Sequence, residues 1–241
     1  MELRLYEWTY SDYCNLVDFL KAEADTKYRD FHSVLIPNTS KNEIIGIRMP
    51  KLREIGKEIA KGNIRSYLDI ASSNLYEEKM LRGIVTGLLK TRSFEEFTRY
   101  CDAYVKIIDN WALCDCFCSG LKQVKKYKAE FFEYLQKYLG SDNFWAVRVA
   151  LVIMLNYYLE DEYIDKVFER CNNVNSDEYY VKMAQAWLVS AAVPKFSDKT
   201  LDFLRSNSFD NDTFSKTIQK CVESKRIDDD TKKIIRSLKK S

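Results

Sequence analysis

Trp111 and Asp115 stand four residues apart in a stretch, Trp111 to Leu121, whose one charge is Asp115. On a helix that spacing puts both side chains on one face, about 5–6 Å apart at Cβ, so they can act on one ligand. An aromatic face and a fixed carboxylate both attract positive charge. Two more residues share this setting: Arg148 is the one charge in Phe144 to Leu159, and Trp187 lies in Val181 to Val193, whose one charge is Lys182. A charge in so apolar a helix is costly unless it is paired or faces solvent. Two arrangements satisfy that condition. In one, Asp115 and Arg148 form a buried ion pair between neighbouring helices and the tryptophans are core; in the other, the four residues line a cleft.

The elements that must position these residues read as helices throughout. Apolar periodicity predicts helices near 9–25, 50–61, 77–90, 94–108, 111–122, 127–139, 143–159, 161–171, 177–192, 197–206, 211–224 and 229–239, with no strand. Pro50 suits a first helical position, Ser93 with Glu96 forms a capping-box pattern, and Asp142 and Ser176 are placed to cap the helices after them. Trp111, Arg148 and Trp187 are separated by 37 and 39 residues, near the roughly 40-residue period of HEAT and armadillo repeats. The predicted fold is therefore an all-α solenoid of HEAT-like repeats over 1–241, a single repeat domain. The charge-poor helices form its inner layer, lining a concave groove, and amphipathic helices such as 127–139 form the outer layer.

Composition narrows the classes. With 7 Gly and 3 Pro in 241 residues there is little material for the tight turns of a β protein. The start, Met1 to Trp8, has acids where a secretory leader needs a basic segment and an apolar run, and the uncharged stretch Val149 to Leu159 is far below the roughly 20 residues that span a bilayer. The expectation is a cytoplasmic chain with no membrane partner, its seven cysteines reduced. Cys114, Cys116 and Cys118, two apart on a helix, diverge and lack a second ligand pair, so they read as small buried residues and no metal is expected. His32, the one histidine, falls in a connecting segment and reads as structural or surface. The 16 Tyr and 13 Phe, at helical spacing, read mostly as core. The net charge of +2 leaves any nucleic-acid affinity to local clusters.

The stretch Asp109-Asn110-Trp111-Ala112-Leu113-Cys114-Asp115 resembles the Asn-Trp-x-x-x-Asp helix of the AlkD-type DNA alkylation repair glycosylases. Similar matches are Trp145-Ala146-Val147-Arg148-Val149-Ala150, Lys182-Met183-Ala184-Gln185-Ala186-Trp187, and Gly46-Ile47-Arg48-Met49-Pro50-Lys51-Leu52-Arg53 near the start of the array. The resemblance covers roughly residues 10 to 225. It implies HEAT-like repeats that bind duplex DNA and remove N3- or N7-alkylated purines by N-glycosidic hydrolysis, without flipping the base; no cofactor is expected, and a closed groove would function as a monomer. Carried over, Asp115 is the catalytic carboxylate, Trp111 and Trp187 contact the lesion nucleotide's sugar and backbone, and Arg148 holds the DNA backbone. The chemistry needs few groups, because a cationic base departs neutral without a general acid. The oxocarbenium character left on the sugar is stabilised by an anion and ring faces, and Asp115 can also orient the attacking water.

Further phosphate contacts are expected from Arg48, Lys51 and Arg53, from Lys122, Lys125 and Lys126, and from Lys220, Lys225 and Arg226. The terminal run Lys232, Lys233, Arg236, Lys239 and Lys240 reads as solubilising a capping helix. Two other functions fit the same repeats: a non-catalytic member that binds distorted or branched DNA, and a protein-interaction scaffold.

Overall fold

A computed structural model describes residues 1–238, so Lys239 and Lys240 lie outside the described residues. Among those described the architecture is all α, with fourteen α-helices, no strand and two short 3-10 turns, Lys41–Glu43 and Lys122–Lys125. The chain forms two compact units, Met1–Glu130 and Phe131 onward.

The first unit contains α1 (Tyr10–Ala22), α2 (Thr26–Ser33), α3 (Met49–Ile59), α4 (Ile64–Ile70), α5 (Tyr76–Leu88), α6 (Phe94–Val105) and α7 (Trp111–Gly120). Here α3 packs on α5 and α5 on α7, while α4 and α6 pack against α5. Alternate helices thus stack into one layer and the intervening ones into another, as helical repeats do. The approach of α5 to α7 is close enough that a Cβ on Gly87 would sit 2.9 Å from the Gly120 carbonyl oxygen.

α8 (Lys128–Leu139) crosses the boundary into the second unit, which continues with α9 (Phe144–Tyr157), α10 (Ile164–Asn172), α11 (Tyr179–Ala192), α12 (Ser197–Ser206), α13 (Asn211–Glu223) and α14 (Asp229–Ser237). The same layering recurs: α9 packs on α11 and α11 on α13. Every residue of α9 from Trp145 to Met154 is buried, which explains an apolar sequence with no polar face. α10 is amphipathic and buries Ile164, Val167, Phe168 and Cys171. Ile164 and Phe168 meet Ala192 and Phe196 in a core cluster.

The predicted helix over 9–25 ends earlier, at Ala22, and a second helix, α2, follows where a connection was expected. Asp25 starts α2 by accepting the Tyr28 N–H, so His32 lies on α2 instead of in a connecting segment. The His32 ring stacks on Tyr28, and its Nε2 is 3.1 Å from the Tyr76 hydroxyl. The connection expected between 62 and 76 contains α4, started by Asn63, whose side chain accepts from Ser66 N–H. At two other starts the caps are displaced. Asn143 caps α9 where Asp142 was expected, and Ser176 accepts from Glu178 N–H just ahead of α11 without capping it. At α6 only half the capping box forms. Ser93 accepts the Glu96 N–H, but the Glu96 carboxylate takes the Arg92 N–H and the Arg65 guanidinium instead. That guanidinium, 2.7 Å away, helps pull the Glu96 carboxyl down to about 2.

The segment leading into α3 turns on Gly46, whose φ of +104° suits glycine and whose missing Cβ would meet the Asp25 carbonyl oxygen at 2.5 Å. The N–H groups of Ile45, Gly46 and Ile47 converge on the carboxylate of Glu77 at 2.7–3.1 Å, and Glu77 is fully buried. Three charge-assisted bonds hold an anion where water is excluded. Glu77→Gln sets an NH2 donor among those backbone donors and is predicted to cost about 2–4 kcal/mol of stability. A urea titration checks this: the midpoint falls with little change in slope.

Candidate nucleic-acid site

α7 begins where its sequence demands. Asn110, wholly buried, caps the helix by accepting the Leu113 N–H at 3.1 Å, and its amide donates to the Asp109 carboxylate at 2.8 Å and to the Thr39 hydroxyl. Asp109 in turn pairs with Lys79 of α5. The segment before the first 3-10 turn closes over this start. The Trp111 indole N–H donates to the Leu35 carbonyl at 3.0 Å, and Asn38, at φ +57°, donates to the Asp109 carbonyl. The Trp111 ring is therefore fixed by its own N–H as well as by its backbone.

Trp111 and Asp115 are both half-buried, one turn apart on α7, and the fully buried Cys114 and Cys118 adjoin them along the same stripe, three and seven residues after Trp111. Cys116, the residue after Asp115, receives the Arg53 guanidinium from α3; burial pushes the thiol up, against the pull of that cation. The expected basic residue Arg53 thus stands beside the α7 site. The other two expected on α3 have acidic neighbours: Arg48 bonds Asp25 at 2.9 Å and lies over the Tyr28 ring, and Lys51 is 3.6 Å from Glu54. Lys122 and Lys125 are exposed on the turn after α7, while Lys126 donates to the Thr91 carbonyl and to the Tyr127 hydroxyl.

In the second unit Arg148 and Trp187 come together. They share a cleft of about 370 Å³ with Met183, Ser190, Lys220, Glu223 and Arg226. Met183, Trp187 and Ser190 follow the i, i+4, i+7 spacing of one helix face, a pattern that marks the floor of the cleft in sequence. Trp187 is 36% exposed, whereas Arg148 is 6% exposed and donates to the Tyr180 carbonyl at 2.7 Å. Arg148 supports the cleft wall from below more than it reaches into solvent. Three cations against Glu223 leave the cleft positive.

The residues spaced by 37 and 39 do not occupy equivalent helix positions. Trp111 opens α7, Arg148 lies one turn into α9 and Trp187 two turns into α11. The helices recur at shorter intervals than the spacing of these residues. The α7 position matching Arg148 is Asp115, and Met183 is the match on α11.

Lys182, the isolated cation of α11, explains itself. Buried at 7% exposure, it reaches Asp210 at 3.3 Å and Asp212 at 3.5 Å, at the start of α13, and so ties the helix carrying Trp187 to the helix carrying Lys220. The Ser190 hydroxyl makes a second tie to the Lys220 carbonyl.

A family model described as DNA alkylation repair enzyme matches residues 16–220. No curated protein matches the chain. Among the described residues no helix is long and apolar enough to cross a membrane.

The Asp210 cap gives the stability of the fold a pH dependence. Burial works against its charge, but the Thr213 N–H and hydroxyl and then Lys182 outweigh it, leaving the carboxyl at about 2 against an ordinary 3.8. A lowered folded-state value gives stability that is complete above the ordinary value and is lost as pH falls toward about 2. Asp210→Asn is therefore predicted to flatten the acid limb of the stability curve between about pH 4 and about pH 2. Thermal unfolding across that window measures it.

Proposed function

Because the chain belongs to the DNA alkylation repair enzyme family, in keeping with a role in DNA repair, we propose that it is a DNA glycosylase. On this reading it hydrolyses the N-glycosidic bond of cationic N3- or N7-alkylated purines in duplex DNA without flipping the base. The observation that carries the reading is α7 itself. Its first turn presents a tryptophan whose ring is locked by the Leu35 carbonyl and, one turn on, a half-buried carboxylate.

The alkylated base already bears a positive charge and leaves neutral, so no general acid is required. As the bond lengthens, the cationic charge passes to the deoxyribose. Asp115 stabilises that charge from a fixed position, and the Trp111 face adds attraction for it. Asp115 also orients the water that adds to the sugar carbon. Its proton is released as the new C–O bond forms. Lys220 and Arg226, beside Trp187, supply cations for backbone phosphates, and Arg148 braces their cleft. His32, stacked on Tyr28 and edge-on to Tyr76, has no part in the reaction.

The test is release of free base from a duplex containing 7-methylguanine, under single turnover. Asp115→Asn is predicted to lower the rate about 100-fold or more, the scale of losing one preorganised electrostatic group. Trp187→Ala is predicted to lower it about 5- to 30-fold, equivalent to 1–2 kcal/mol. Wild-type release no faster than that of Asp115→Asn contradicts the proposal.

A further inference from the structure

Two inter-helix turns of the first unit lie side by side. Residues 89–93 link α5 to α6, and residues 121–127 link α7 to α8. They are stitched together: Gln123 donates to the Leu89 carbonyl and accepts from the Thr91 hydroxyl at 3.1 Å, and Lys126 donates to the Thr91 carbonyl at 3.1 Å. The close passage of Gly87 against Gly120 brings the ends of α5 and α7 together just before these turns. The joined turns carry Lys90, Arg92, Lys122, Lys125 and Lys126, all exposed, and no acid. The nearest acids in sequence are Glu95, Glu96 and Glu130, the last exposed in the first turn of α8. Glu96 is occupied by Arg65 and the Arg92 N–H, and Glu95 accepts a bond from Ser93 at the start of α6.

Local helix electrostatics does not call for this cluster. Cations suit the ends of α5 and α7, but Arg92 and Lys126 stand at the starts of α6 and α8, the positive ends of those helices. Five like charges held on two hydrogen-bonded turns repel one another unless an anion lies across them.

We propose that these turns form a rim that binds the phosphodiester backbone of the duplex, on the flank of the site at Trp111 and Asp115. The inference rests on the DNA-repair reading and adds Lys90 and Arg92, with Gln123 as the residue that holds the two turns in register. α7, ten residues from Trp111 to Gly120, is ~15 Å long, about four nucleotides of axial rise. The rim therefore holds backbone roughly four nucleotides from the lesion and fixes the register of the duplex without reading its bases.

The experiment measures binding of the whole chain to an undamaged duplex from about 50 to about 200 mM salt, the range in which phosphate contacts dominate. Lys90, Arg92, Lys122 and Lys125 are replaced together by Gln in one variant and by Glu in another, leaving the bonded Lys126 in place. Thermal unfolding confirms that both variants are folded. The slope of log affinity against log salt is expected to become shallower by about 3–4 in the Gln variant, about 0.9 per lost contact, with a larger affinity loss in the Glu variant. Wild-type slope and affinity in both variants overturn the rim while leaving the glycosylase reading intact. Wild-type binding to polyglutamate but not to duplex also overturns it, assigning the patch to an acidic protein. Salt-dependent duplex binding through these four residues, in a protein that releases no base, retires the glycosylase reading and leaves the rim standing.

Discussion

The buried side chain of Asn110 is the constraint on which the first-unit site depends. It starts α7 by capping Leu113, and it binds Asp109, whose carboxylate is anchored to Lys79 on α5. Asn110 also reaches Thr39, in the segment whose Leu35 carbonyl receives the Trp111 indole. One amide thus sets where the helix starts, which way its first residue faces and what closes over it. Asp115 inherits its position from the same start, since one turn of helix leaves it no freedom relative to Trp111. A cap worth about 1 kcal/mol in an ordinary helix here fixes the geometry of the candidate site as well.

The three isolated charges of the apolar helices meet the cost of burial in different ways. Lys182 is surrounded by carboxylates and acts as a strut between α11 and α13. Arg148 is turned to a backbone carbonyl below a tryptophan cleft. Asp115 stays half-buried on the rim of its helix. Sequence treats all three alike, as lone charges in an apolar run. Structure separates the brace Lys182 from the support Arg148 by what each one touches.

Much of this was legible in the sequence. The charge-poor helices, the absence of strands and the pairing of Trp111 with Asp115 follow from helical periodicity and a four-residue spacing. The short helices α2 and α4 were less visible because eight and seven residues carry too little periodicity, and only their caps, Asp25 and Asn63, mark them. The Glu77 nest could not be read at all, since its partners are backbone N–H groups more than thirty positions away in some cases. The spacing of Trp111, Arg148 and Trp187 suggested equivalent positions; the helices show a one-turn advance at each step, because residue spacing and helix recurrence differ. The cleft around Trp187 draws Lys220, Glu223 and Arg226 from beyond its own helix, and no local pattern announces such a meeting.

The central claim is that Asp115 stabilises a cationic sugar. It is tested most directly by comparing affinity for a duplex carrying a positively charged pyrrolidine analogue of the deoxyribose with affinity for the uncharged tetrahydrofuran analogue. An enzyme complementary to the transition state binds the charged analogue more tightly. The account predicts a preference of at least about 10-fold in the wild type, roughly 1.4 kcal/mol, that disappears in Asp115→Asn. The same preference in both proteins, or none in the wild type, contradicts it.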